Sequence, residues 1–131
     1  MLLQNESPAV VIARSHVEAW SNLDFDKARN SLAPDIHVTV TTTQPGMAPT
    51  DTIGVDEYME GLVRFAQLIV PGSVRVVDSL GDERNALLVV TAQIMFGPGG
   101  EKAALTGARA YLLDENDRIK SEHVVFFTTP E

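Results

Sequence analysis

The stretch from Glu101 to Thr128 constrains this chain most, because it reads as two strands joined by one turn. Lys102 to Leu113 and Arg118 to Thr128 are rich in apolar and β-branched residues, and the polar cluster Asp114-Glu115-Asn116-Asp117 separates them. The pattern predicts a β-hairpin with a loop of about four residues. Such a loop sets Arg109 opposite Glu122, Tyr111 opposite Lys120, Gly107 opposite Val124 and Leu105 opposite Phe126 on one face. The other face then carries Ala104, Thr106, Ala108, Ala110 and Leu112 against Ile119, Ser121, His123, Val125 and Phe127. A loop one residue longer would bring His123 opposite Arg109 instead, since a one-residue slip turns every side chain over. The first register is expected because it gives Arg109 an opposite charge.

The residues before the hairpin read as cover for the sheet it begins. Ser7-Pro8 opens a first helix with a capping hydroxyl and a proline at the first helical position. Ala9, Ile12, Ala13, His16, Val17, Ala19 and Trp20 form its apolar stripe, so His16 points inward. Asp24 caps a second short helix expected to run through Leu32, with Pro34 as its stop. Ile36 to Thr41 alternates strictly and reads as a strand with Ile36, Val38 and Val40 facing the core. Thr42 to Gly54 is expected to be a loop, and Val55 to Val70 a third helix with Tyr58, Leu62, Phe65, Ala66 and Ile69 on one stripe, stopped by Pro71-Gly72. From Ser73 the pattern is β only: a strand with Val74, Val76 and Val77, a turn at Gly81-Asp82, and a strand from Ala86 to Phe96 expected to be buried on both sides. Gly97-Pro98-Gly99-Gly100 is the turn into the hairpin, because it lacks the lysine-serine ending and following helix of a phosphate loop.

Composition excludes several functions. At 131 residues and 44% hydrophobic content the chain suits one domain, 1–131, with a real core. Without cysteine there is no disulfide, thiolate metal site or cysteine nucleophile. A net charge of −8 repels a phosphate backbone, so nucleic acid is not an expected partner. The apolar run Ala9 to Ala13 is too short for a signal core or membrane span, which points to a cytoplasmic protein with no membrane partner. His16, His37 and His123 stand on separate elements without paired spacing, so no metal site is expected and no cofactor is implied. Ser15-His16 and Ser121-Glu122-His123 are sequence neighbours that point apart, not a hydrolase triad.

The order helix, helix, strand, helix and then four antiparallel strands is α+β. On Val10-Val11 and Val17-Glu18-Ala19-Trp20 before Asp24-Phe25-Asp26, Leu32-Ala33-Pro34-Asp35-Ile36-His37-Val38, Gly54 before the third helix, and Ala110-Tyr111-Leu112-Leu113 with Arg118-Ile119, the chain resembles the nuclear transport factor 2-like superfamily. That group includes ketosteroid isomerases and SnoaL-like polyketide cyclases. The resemblance implies a cystatin-like, cone-shaped α+β barrel, with three helices packed in a curved, mostly antiparallel sheet. Ketosteroid isomerases use a first-helix tyrosine, a carboxylate base on the first strand and a protonated acid on a late strand. The matching positions here are His16, Val40 and Arg109, so the catalytic carboxylates are unmatched and that mechanism is not expected. Arg109 beside Glu122 supplies half of the carboxylate-arginine-carboxylate set of the epoxide-hydrolase branch.

These readings lead to a homodimeric protein that binds a hydrophobic metabolite, pairing through the small-residue face of the hairpin. The expected pocket is lined by Trp20, Val40, Tyr58, Leu62, Tyr111, Val124 and Phe126, with His16, Arg109 and Glu122 as its polar and candidate catalytic groups. An enzymatic alternative is a cyclase, isomerase or hydrolase with His16 as acid or base and Arg109 stabilising an oxyanion. A third is a protein-interaction module whose interior is filled by side chains.

Overall fold

The computed structural model describes residues 7–42, 48–96 and 100–127. Its elements run α1 (Pro8–Ser21), α2 (Phe25–Asn30), β1 (Leu32–Thr42), β2 (Thr50–Ile53), α3 (Val55–Ala66), β3 (Arg75–Gly81), β4 (Asn85–Phe96), β5 (Glu101–Leu113) and β6 (Ile119–Phe127). The caps read from the sequence are present. Ser7 Oγ accepts from Val10 N at 3.4 Å, and the Asp24 carboxylate accepts from Lys27 N at 3.2 Å. α2 ends at Asn30, not Leu32: Ser31 closes it, and Leu32 and Ala33 are already buried in β1. Pro34 therefore lies within a strand. It sits where the pairing of β1 with β6 is interrupted between Leu32 and His37, so its missing N–H breaks no ladder bond there.

The six strands lie in the order β2-β1-β6-β5-β4-β3, with β1 and β6 parallel and the other neighbours antiparallel. This corrects the expected cone-shaped barrel: the sheet is mixed and open, with β2 and β3 as its two edges. β2, four residues long and largely exposed, has no buried face to bring against β3. It also corrects the loop expected over 42–54, since Thr50–Ile53 pairs antiparallel with β1 from Val40↔Thr50 to His37↔Ile53. Residues 43–47, with Met47, and the turn residues 97–99 lie outside the described residues. Alternation of polar threonines with Asp51 hid β2 from a search for apolar runs.

All three helices cover one face of the sheet. α1 packs on β3, β4 and β5, α3 packs on β1 and β2, and α2 bridges the two helices. Trp20, Ile36, Leu88, Leu113 and Ile119 are the large fully buried apolar side chains at the centre. β4 is not buried on both sides. Ala86, Leu88, Val90 and Ala92 are buried, while Leu87 is 41% exposed on the opposite face, because none of the described elements covers that side. α3 stops at Ala66, earlier than its apolar spacing predicts. The backbone of Leu68 and Val70 instead bonds to β4, with Met95 N to Leu68 O at 2.7 Å and Val70 N to Gln93 O at 2.8 Å.

The hairpin has the expected faces and a different register. Arg109 pairs with Val124, Tyr111 with Glu122 and Gly107 with Phe126, so neither Glu122 nor His123 stands opposite Arg109. Two separate one-residue differences cause this. Asp114 Oδ1 caps Asn116 N at 2.8 Å and Arg118 N at 3.0 Å, and Asp117 adopts φ 60°, which draws Arg118 into the turn and makes Leu113↔Ile119 the closing pair. A bulge between Leu112 and Leu113 then shifts the ladder once more. Two slips of one restore the face and change every partner. Gly107 suits this register, because a Cβ there would meet the Phe126 ring at 3.1 Å and push it aside by a few tenths of an ångström.

Candidate functional site

Among the described residues, the helix-covered side of the sheet holds three buried polar or charged residues, His16, Arg109 and Glu122. β5 delivers Arg109 and β6 delivers Glu122 by strand alternation, which places Arg109 Nη1 3.5 Å from Glu122 Oε2. The guanidinium carbon lies 5.2 Å from the Trp20 ring and 5.5 Å from the Phe126 ring, so two π faces hold the cation as well. Tyr58 projects from α3, which Gly54 starts at φ 105°, and donates its hydroxyl to Glu122 Oε1 at 3.0 Å. Behind Tyr58 lies His16, with Nε2 3.2 Å from Tyr58 Oη. Its Nδ1 is 3.1 Å from the Ala28 carbonyl, an acceptor only, so Nδ1 carries the proton. Ser31 Oγ, itself donating to Ala28 O at 2.8 Å, flanks the same nitrogen at 3.1 Å.

Burial governs the titration of His16 and of the two tyrosines beside the pair. Desolvation lowers the His16 pKa below 6.5 against the opposing attraction of Glu122, so the imidazole is held neutral. Desolvation, reinforced by the Glu122 charge, pushes both Tyr58 and Tyr111 well above the ordinary phenol range and keeps them protonated. Burial works against the Arg109 cation, yet Tyr111 and Glu122 outweigh it and raise its pKa. Arg109 Nε, Tyr111 Oη and Trp20 Nε1 are buried without a hydrogen-bond partner among the described residues. Tyr111 thus feels the ion pair's field without a well-formed bond to it.

Arg109, Glu122 and Tyr58 border a cleft of about 470 Å³ between α3 and strands β1, β2, β5 and β6. Val38, Val40, Leu62, Phe65, Val124 and Phe126 form its apolar walls, and Thr50, Thr52, Glu57, Glu60 and Arg64 its more exposed polar border. Of the residues assigned to a pocket from the sequence, Val40, Tyr58, Leu62, Val124, Phe126, Arg109 and Glu122 line this cleft. His16, Trp20 and Tyr111 do not. His16 stands behind Tyr58, Trp20 backs Arg109 and borders a separate hollow of about 380 Å³ with Leu23, Ile69 and Met95, and Tyr111 is core. Sequence reasoning missed the wall from β2 and the charged turn of α3. Glu57, Glu60 and Arg64 resemble an ordinary solvated helix face, and only the position of β2 turns them into a border.

His37 and His123 lie on the opposite, uncovered face. His37 Nε2 contacts Asp51 Oδ1 at 2.6 Å, Thr39 hydrogen-bonds His123, and the two rings are 6.4 Å apart. Among the described residues no group of three or more histidine or acidic side chains is arranged to hold a metal ion. No helix among them is long and apolar enough to cross a membrane.

Several solved structures share this architecture. A Mycobacterium tuberculosis protein in complex with estradiol-17beta-hemisuccinate superposes with a TM-score of 0.75 at 12% identity, over 91% of this chain and 93% of that one. An NTF2-like protein of unknown function from Burkholderia pseudomallei gives 0.71 at 20% identity, over 92% of each chain. A putative SnoaL-like polyketide cyclase from Shewanella denitrificans gives 0.70 at 15% identity, over 91% and 90%. At these identities the likeness concerns the fold. No curated protein matches the chain significantly in sequence. The model of the SnoaL-like domain matches residues 13–122, from the first helix to the glutamate of the ion pair, and so the chain belongs to the SnoaL-like family within the NTF2-like superfamily.

Proposed function

We propose that this protein binds a small, mostly apolar molecule in the cleft, oriented by Arg109, Glu122 and Tyr58. The observation that carries this reading is one buried charged cluster set among apolar walls in a space of about 470 Å³. That combination of size and lining is typical of small-molecule sites, which run to roughly 300–1,000 Å³. The complex of the similarly folded Mycobacterium tuberculosis protein with estradiol-17beta-hemisuccinate supports it. The open cleft argues against an interaction module with a filled interior. The proposal includes a cytoplasmic homodimer joined through the uncovered sheet face, where Leu80, Leu87 and Val125 are exposed beside Ala108 and Ala110. Screening purified protein against apolar metabolites by thermal shift and native mass spectrometry tests the binding. Saturable binding that is lost in Val40→Glu is expected; a library with no binder defeats the reading.

One arrangement favours an enzymatic second reading. Glu122, a proton acceptor, and Arg109, a partner for a developing oxyanion, lie side by side in the cleft. In a cyclase, isomerase or hydrolase of this kind, Glu122 and Tyr58 touch substrate, and His16 acts through Tyr58 as a positioning residue. Turnover of a bound ligand, lost in Glu122→Gln with binding retained, distinguishes this reading from simple binding.

A further inference from the structure

We propose that the chain Glu122–Tyr58–His16 takes up one proton whenever the acid head of an apolar ligand docks on Arg109, which makes the cleft a proton-coupled site for organic acids. The inference rests on the small-molecule reading of the cleft. Its first support is a count of protons. Glu122 Oε1, Tyr58 Oη and His16 Nε2 stand in a row, with contacts of 3.0 and 3.2 Å. His16 spends its ring proton on the Ala28 carbonyl, so Nε2 is an acceptor, and a carboxylate is an acceptor as well. Tyr58 has one proton for two acceptors. One contact is therefore lone pair against lone pair, and a single added proton completes both: Glu122 donates to Tyr58, and Tyr58 donates to His16.

The second support is charge. Arg109 and Glu122 already form a neutral pair, and both are almost fully buried. An anion placed on Arg109 would leave a net negative charge in a poorly solvated site, which is strongly unfavourable unless a proton enters with it. Protonated Glu122 releases Arg109 to pair with the ligand and satisfies the row at the same time. Among the described residues no other buried group beside the pair provides the charge: α1 contributes His16, α3 Tyr58, β5 Arg109 and Tyr111, and β1 the apolar Val38 opposite Glu122. Glu57, Glu60 and Arg64 at the border are solvated, and Arg29 is paired with Asp56. The unpartnered Arg109 Nε marks a guanidinium with donor capacity left over.

Calorimetric titration in two buffers of different ionisation enthalpy tests this, with a panel of aryl- and alkyl-alkanoic acids such as 4-phenylbutyrate and the matching neutral amides. Uptake of one proton per bound acid and none per amide is expected, with acid affinity falling about tenfold per pH unit over the range in which that proton is taken up. Glu122→Gln, which keeps an acceptor oxygen for Tyr58, should bind the acids without uptake and with a flat pH profile. Acids that bind wild type with no proton uptake overturn the proposal, as does uptake that persists in Glu122→Gln. The wild-type titration decides the matter even if that variant does not fold. Amides that bind while no acid does defeat the proton coupling alone, whereas a panel in which neither class binds defeats the small-molecule reading with it.

Discussion

The two faces of the central sheet are built from the same strands and obey opposite rules. Along β5, Leu105, Gly107, Arg109, Tyr111 and Leu113 are buried, and the intervening Ala104, Thr106, Ala108, Ala110 and Leu112 are partly or fully exposed. The covered face admits few polar groups, and the charged cluster among them is held together: Arg109 by Glu122 and two rings, Glu122 by Tyr58, His16 by α2. The uncovered face carries partly or fully exposed polar groups, such as Thr39, His37, His123 and Asp51, that water can also satisfy. A polar side chain on the first face is thus costly to disturb, and one on the second is nearly free to change. The covered face is where a ligand can be read by charge.

The sharpest way to break this contrast is to remove one member of the buried ion pair. Arg109→Met takes the counter-charge from a buried carboxylate, which must then stand uncompensated or take up a proton, at a cost of up to about 3–5 kcal/mol. The double change Arg109→Met with Glu122→Leu should recover most of that loss, because no lone charge remains. Chemical unfolding of the four proteins in the cycle checks this. Effects that add within roughly 0.5 kcal/mol would mean the two residues are not coupled. Next in size is Tyr58→Phe, which strips Glu122 of a buried donor and should cost about 1–3 kcal/mol. Thr39→Val, its counterpart on the uncovered face, should stay within about 0.5 kcal/mol.

Acidity offers a third, smaller test. His16 is held neutral by burial, so its folded-state pKa lies below the 6.5 of the unfolded chain. The unfolded state then binds more protons as pH falls, and the contribution of His16 to stability is full above 6.5 and declines below it. Unfolding free energies measured between neutral and mildly acid pH should fall, and His16→Gln should flatten that decline. An unchanged acid profile in the variant would remove His16 as its source.

What the sequence made legible follows from how local each cause is. The caps at Ser7 and Asp24, the inward stripe of α1 and the alternation of β1 and β5 depend on residues within a turn or two of each other, and they read correctly. The hairpin register failed by two. It depends on Asp114 drawing Arg118 into the turn and on a bulge beside Leu112, neither of which changes the hydrophobic pattern. Because the two shifts cancel in parity, the face bearing Arg109 and Glu122 was assigned correctly while their partners were not. The barrel failed for a less local reason: closure depends on whether β2 and β3 meet, and no alternation within either strand encodes that. Part of the cleft was hidden for the same reason, since β2 forms one of its walls. His16 read correctly as buried, but its separation from the cleft by one tyrosine ring is a fact of packing between α1 and α3.

The smallest expected effect on folding belongs to the uncovered face, and it sharpens the contrast by changing assembly instead of stability. Ala108 stands in the middle of that face, with Val125 opposite it on β6 and Val89 opposite it on β4. Ala108→Arg adds a charge where solvent is already present, so the unfolding free energy of the isolated chain should change by only about 0.5 kcal/mol. If two copies share this face, the same substitution places new arginines in the contact, next to small apolar neighbours such as Val89 and Val125. Sedimentation velocity at micromolar concentration should then report a dimer for the wild type and a monomer for the variant. A wild type that sediments as a monomer ends the dimer proposal. A dimer that survives Ala108→Arg moves the interface elsewhere, and the apolar residues Leu80 and Leu87 at the β3 end of the face become the next place to substitute.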